Sequence, residues 1–159
     1  MVQEDVSVTY RDLESSDLAR MGSLVRAFGD DSDMLNIFKT SIDMDNFKKT
    51  TESLFELGML NGVVAESEGI IAGAFLYIIT PNLFSGDKTA AEAMWYTHRR
   101  YRDSAMGGRL YLKAEKQILE SDCKLMMMTH LETSMPDELK SFYEKRGFTH
   151  IESNYQKRL

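Results

Sequence analysis

A strand-like run, an arginine-led glycine loop and a helical stretch follow one another between residues 93 and 119, and no other feature narrows the fold as much. The run is Ala93-Met94-Trp95-Tyr96-Thr97. The loop is Tyr101-Arg102-Asp103-Ser104-Ala105-Met106-Gly107-Gly108-Arg109-Leu110, and helical spacing continues over residues 110–119. Small residues let ligand oxygens reach backbone N–H groups, and a helix N-terminus adds partial positive charge, so such a loop is a phosphate cradle in physical terms. It points to a pyrophosphate-bearing ligand. Glycines before a helix are more often a plain turn, and taken alone the loop leaves that reading the stronger one.

The segments around the loop alternate in kind. Val6-Ser7-Val8-Thr9-Tyr10 has the two-residue period of a half-buried strand, and Leu18, Met21, Val25 and Phe28 recur at helical spacing up to Gly29. A second helix fits residues 45–57, with Phe47, Thr50, Leu54 and Leu57 on one stripe and Gly58 near its end. Residues 63–66 and 70–79 read as strands joined by a tight turn at Ser67-Glu68-Gly69. Beyond a loop over 81–88 come a strand over 90–97, a helix carrying Leu110, Ala114 and Ile118, and a strand over 125–130. The last helix is fully punctuated: Ser134 as cap, Pro136 in the first turn, Asp137 and Glu138 at the positive end, Lys145 and Arg146 at the negative end, then Gly147. Residues 148–159 supply one or two closing strands. The order β-α-α-β-β-β-α-β-α-β, with no linker or internal repeat, predicts one α/β domain over residues 1–159.

Composition excludes several classes. At 159 residues, 43% hydrophobic and 10% aromatic, the chain suits one folded domain with a full core. The longest apolar run, 70–79, is too short for a membrane span, and the acidic N-terminus lacks the regions of a signal peptide, so a cytoplasmic protein without membrane contact is expected. Cys123 is the one cysteine, which rules out an intramolecular disulfide and reads as structural. A net charge of −6 argues against a nucleic-acid partner, while the local cluster Arg99-Arg100-Tyr101-Arg102 suits one phosphate-rich small ligand. His98, His130 and His150 lie far apart with no carboxylate at zinc-helix spacing, so no metal is expected. Met126-Met127-Met128 reads as a buried strand.

Four places together resemble the GCN5-related N-acetyltransferase (GNAT) family. Tyr10-Arg11-Asp12-Leu13 with Asp17-Leu18 is similar to its opening strand and helix, and residues 64–73 to its central hairpin. Arg102-Asp103-Ser104-Ala105-Met106-Gly107 resembles its Arg/Gln-x-x-Gly-x-Gly/Ala loop, with Ala105 where glycine is usual. Phe142-Tyr143-Glu144-Lys145-Arg146-Gly147-Phe148 resembles its Leu-Tyr-x-x-x-Gly-Phe. The lead-in Ala91-Glu92-Ala93-Met94-Trp95 is closest to small members carried by bacteriophages and bacteria, which would place the protein in a cytoplasm, the host's if phage-encoded. The fold so implied is a mixed, mostly antiparallel sheet flanked by helices.

The resemblance implies transfer of an acetyl group from acetyl-CoA to a primary amine by direct attack in a ternary complex. The backbone of Tyr96, Thr97 and His98 would pair with the pantetheine arm as another strand, and the pyrophosphate would rest on Ser104, Ala105, Met106, Gly107 and Gly108, within the loop that Asp103 completes. Arg102 and Arg109 are the candidate charge partners. Ala105 puts affinity in doubt if its position needs positive φ. Tyr143 matches the family's acid for the thiolate, and its alternative is a core aromatic on the stripe of Leu139. Glu92 is the candidate base, because a charge inside an apolar strand is costly unless it faces a site or solvent. A solvent-facing Glu92 remains equally open. The acceptor would be a small-molecule or protein amine, with a cationic one favoured by Asp30-Asp31-Ser32-Asp33 and Asp43-Met44-Asp45. A homodimer is left open. The alternative function is a catalytically weak or inactive regulator that binds CoA or a partner protein.

Overall fold

Alternating apolar residues dominate positions 60–97, and they form the centre of a five-stranded sheet. The computed structural model describes residues 7–37, 39–102 and 104–159; the expected contributions of Val6 and Asp103 fall outside them. In chain order the elements are β1 (Val8–Asp12), α1 (Ser15–Arg20), α2 (Gly22–Asp31), α3 (Met34–Ile37), α4 (Met44–Glu56), β2 (Leu60–Ser67), β3 (Ile70–Pro81), β4 (Lys88–Thr97), α5 (Met106–Glu120), β5 (Leu125–Met127) and α6 (Pro136–Lys145). The sheet order is β1-β2-β3-β4-β5, antiparallel through β4, with β5 parallel to β4. Glu68 and Gly69, at φ 51° and 77°, turn the β2–β3 hairpin as its two central residues, the backbone a tight two-residue connection requires.

The two-residue period of the strands divides the core between the faces of the sheet. Val64, Ala74, Leu76, Met94 and Tyr96 pack with Leu18, Met21, Leu24 and Val25 of the α1–α2 layer. Val63, Ala65, Phe75 and Tyr77 pack with Met106, Leu110, Tyr111, Ala114 and Ile118, largely of α5. Neighbours such as Val63 and Val64, both fully buried, thus belong to different cores. Each such burial contributes about 1.5–3 kcal/mol, enough to fix the strand register.

One irregularity in this register shapes the rest of the molecule. Leu76 pairs with Met94 but Tyr77 pairs with Glu92, so Ala93 is an extra residue and β4 bulges there. β5 pairs with β4 only from Thr89↔Leu125 to Ala91↔Met127. Beyond Ala91 the two strands part, and Glu92 stands at the fork.

Four expectations change. The first helical stretch breaks at Met21, just before Gly22, a weak helix former, which gives α1 and α2. α5 begins at Met106 rather than at residue 110. β5 ends at Met127 rather than at residue 130, and the methionine block is only half buried: Met126 and Met128 pack on the α5 core, while Leu125 and Met127 are 48% and 40% exposed at the sheet edge. Residues 148–159 form no closing strand, and 149–159 are exposed throughout. Among the described residues no helix is long and apolar enough to cross a membrane.

Candidate active site

A pocket of about 370 Å³ opens where β4 and β5 separate. It runs between both cores of the sheet: Phe28 and Tyr96 belong to the α1–α2 side, Trp95 and Phe142 to the α5 side. Glu92, Thr97, Arg102, Ser104, Gly107, Gly108, Thr129 and Tyr143 also line it. The structure therefore brings together residues as far apart in sequence as Phe28 and Tyr143. Most of the lining is apolar or aromatic, with a few placed polar groups, the usual composition of a small-molecule site.

Thr129 is the pivot of one end. Its N–H donates to Oε2 of Glu92 at 2.9 Å, and its carbonyl accepts from the Tyr143 hydroxyl at 2.7 Å. A single peptide residue just past β5 thus holds both candidate catalytic side chains. Burial in the fork pushes the Glu92 carboxyl up to about 7; the bonds from Thr129 and from the Trp95 backbone oppose this only in part. Burial, reinforced by the Glu92 charge, also holds the Tyr143 phenol above its ordinary value, so it keeps its proton throughout the neutral range.

The other end is built from backbone. His98 donates its N–H to the Ala72 carbonyl at 2.9 Å. By the alternation of an antiparallel ladder, the peptide groups of Tyr96 and His98 face β3, and those of Trp95 and Thr97 face the fork. Trp95 further locks the loop to the strand by donating Nε1–H to the Gly107 carbonyl at 3.1 Å. A Cβ on Gly107 would meet Thr97 Oγ1 at 3.6 Å and Trp95 Nε1 at 4.0 Å, and one on Gly108 would meet nothing within 4 Å. The two glycines thus leave the start of α5 open to a ligand without needing unusual backbone. Ala105 caps α5 at φ −73°, an ordinary value for alanine, so its departure from glycine carries no strain. Ser104 Oγ donates to the Tyr101 carbonyl and accepts from the Met106 N–H at 3.2 Å, tightening the entry to the helix.

Among the described residues, the remaining sequence candidates lie off the pocket. His98 is exposed, with Nδ1 accepting from the Arg100 N–H. Met106 is 1% exposed and fills the α5 core. Arg109 stacks its guanidinium over Tyr10 at 5.9 Å. His130 is tied to the Pro136 carbonyl at 2.7 Å. Two of the acidic residues are occupied locally: Asp33 accepts from Asn36 at 2.8 Å, and Asp43 caps α4 through the Asn46 N–H at 2.9 Å. Asp31 binds Tyr96, Arg99 and Arg102.

Trp95, Thr129 and Phe28 line the pocket without being expected there, and Asp31, expected to favour a cationic acceptor, instead pairs with the protein's own arginines. Phe28 had a signal as the last member of a helical apolar stripe. Thr129 had none, and the acidic run pointed Asp31 towards an acceptor, because the partners of both lie far along the chain.

Residues 33–148 match the acetyltransferase (GNAT) family. No curated protein sequence matches the chain. Among solved structures it is similar to a transcriptional regulator from Bacillus halodurans C-125 at 23% identity and TM-score 0.74, over 96% of this chain and 100% of that one. It is also similar to an aminoglycoside acetyltransferase from an uncultured soil metagenomic sample, at 14% identity and TM-score 0.73, over 96% and 99%. Glucosamine-6-phosphate N-acetyltransferase from Arabidopsis thaliana shares the fold at 19% identity and TM-score 0.70, over 96% and 98%. With the family match spanning well over half of its length, the chain belongs to the GNAT family of acetyltransferases.

Proposed function

We propose that the protein, over residues 1–159 as one N-acetyltransferase domain, transfers an acetyl group from acetyl-CoA to a primary amine by direct attack in a ternary complex. One observation carries this reading: a helix start opened by glycines and a carboxylate–tyrosine pair held on one peptide share a single pocket. The residues present fit acetyl-CoA, which would supply the activated acetyl group. Gly107 and Gly108 leave the start of α5 open to phosphate oxygens, Ser104 lines the pocket beside them, and Arg102 adds charge at the rim. The fork-facing peptide groups of Trp95 and Thr97 offer the strand edge for an amide-bearing arm.

An amine must be neutral to attack, and Glu92, titrating near 7, accepts its proton directly or through water. Tyr143 donates to the departing thiolate by giving up its bond to the Thr129 carbonyl. The acceptor is a small-molecule or protein amine, and the fold shared with an aminoglycoside acetyltransferase supports the small molecule. Tyr143's bond to Thr129 also supports a second reading, a CoA-binding regulator with weak turnover, in line with the fold of the Bacillus halodurans regulator.

Free-thiol release from acetyl-CoA with mixed amines, together with calorimetry, tests both. Transfer is expected for the parent, and Gly107→Glu, which aims charge and bulk into the pocket, is expected to weaken CoA binding at least about 100-fold while folded. Equal affinity in that variant would overturn the site. Binding without turnover would leave the regulator.

A further inference from the structure

We propose that Asp31 is a positioning residue that holds residues 99–102, and with them the open start of α5, in the shape that receives an anionic ligand. The proposal rests on the acetyl-CoA reading above for its ligand.

Asp31 ends α2, outside the sheet, yet its side chain is only 11% exposed. Its two oxygens accept from the Tyr96 hydroxyl, from Arg99 through Nε at 2.7 Å and through Nη2, and from Arg102 Nη2 at 2.7 Å. Four donors saturate a carboxylate. The two guanidiniums make it a charge-assisted anchor, and they hold the Asp31 carboxyl down at about 2, ionised at any working pH.

Among the described residues, the hydrogen bonds made within the loop itself are local. Tyr101 and Arg102 donate backbone N–H groups to His98 and Arg99, and Ser104 bonds to Tyr101 and Met106. Those close turns, Tyr101 packs on the α5 core and Trp95 holds the Gly107 carbonyl, while Asp31 holds the arginines on either side of them. Arg100 lies 4.0 Å from Glu68 with both side chains well exposed, a weak surface pair. Asp31 instead reaches across 65 to 71 residues to the end of β4 and to both flanking arginines.

Arg102 is stacked over the Tyr96 ring at 5.6 Å while it lines the pocket, so the same contact fixes the cation that faces the ligand. A guanidinium has five N–H donors, and Asp31 takes one of Arg102's. The next residue, Ser32, accepts the Thr133 hydroxyl through its carbonyl. The end of α2 therefore braces both loops that border the pocket.

Asp31→Asn keeps the shape and removes the charge. Calorimetry with CoA, steady-state kinetics with acetyl-CoA and hydrogen exchange on the intact chain test the proposal. Expected are a folded variant, faster exchange confined to residues 99–106 and 133, CoA affinity lowered about tenfold, and a loss that falls on KM rather than kcat. Unchanged or tighter CoA binding overturns it, the latter showing that Asp31 merely tempers the arginines. Should Asp31→Asn fail to fold, Arg99→Gln, at a side chain 65% exposed, removes two of the four donors and is expected to lower affinity about threefold with the same local exchange. Parent-like exchange and affinity there overturn it equally. If the parent binds no CoA, the functional reading fails, and the exchange pattern still decides whether Asp31 holds the loop.

Discussion

Glu92 lines the pocket and Asp31 stands behind its rim, bonded to Tyr96 and Arg102, and the same carboxylate chemistry is driven in opposite directions. Glu92 sits in the fork between β4 and β5 with neutral donors, so burial dominates and its carboxyl rises to about 7. Asp31 is met by two guanidiniums instead, and its carboxyl falls to about 2. A neutral N–H offsets only part of the cost of burying a charge, whereas a cation reverses it. One site thus acquires a group that exchanges protons near neutrality and another that stays charged as scaffolding.

The largest expected effect is on turnover at the Glu92 end. Glu92→Gln should lower kcat roughly 10- to 1000-fold, with partial recovery at high pH where more amine is already neutral. The parent's rate should fall as pH drops through about 7, and that limb should vanish in the variant. Rates unchanged from pH 6 to 9 would mean that the amine proton leaves elsewhere. Tyr143→Phe should cost about 10- to 100-fold in turnover with acetyl-CoA affinity nearly level, and about 1 kcal/mol of stability from the Thr129 carbonyl it leaves unpaired. A turnover number within twofold, with chemistry limiting, would return the ring to a packing role.

Denaturant titrations at several pH values sharpen the contrast. The folded state holds the Glu92 proton more tightly than the unfolded chain, whose value is near 4.5, so this group's contribution to stability falls as pH rises from about 4.5 to about 7. Glu92→Gln should therefore be relatively stabilised above pH 7, by at most about 3 kcal/mol. Asp31 works the other way. Its contribution is complete above about 3.8 and is lost as pH falls towards 2, and Asp31→Asn should remove about 1–2 kcal/mol of it, given how exposed the arginines are. Parallel slopes in the two variants would break the comparison. The smallest effect belongs to Ala105→Gly, expected to leave CoA affinity within twofold because residue 105 has negative φ.

Periodicity and punctuation located most elements, since both are local rules over two to four residues. The Pro136 start and the Gly147 stop of α6 appear where the sequence put them, although Met135 at φ 47°, not Ser134, takes the cap. The same rules could not say which face a loop residue takes. Met106 turns into the core and Arg109 onto Tyr10, while Gly107 and Gly108 between them face the pocket, because consecutive helical residues point about 100° apart.

By itself, then, the chain determined most of its strands and helices, the glycine loop that leads into α5 and the family motifs around Arg102 and Tyr143. Tertiary structure decided everything that depends on partners far apart. The bulge at Ala93 and the early end of β5 open the fork, which brings Glu92 to Thr129 across 37 residues and Thr129 to Tyr143 across 14. Asp31 reads in sequence as one acid among several, and only the folded chain brings two arginines 68 and 71 residues away against it. A residue's charge is written in its side chain, but its pKa and its role come from the burial and the counter-charges that folding supplies.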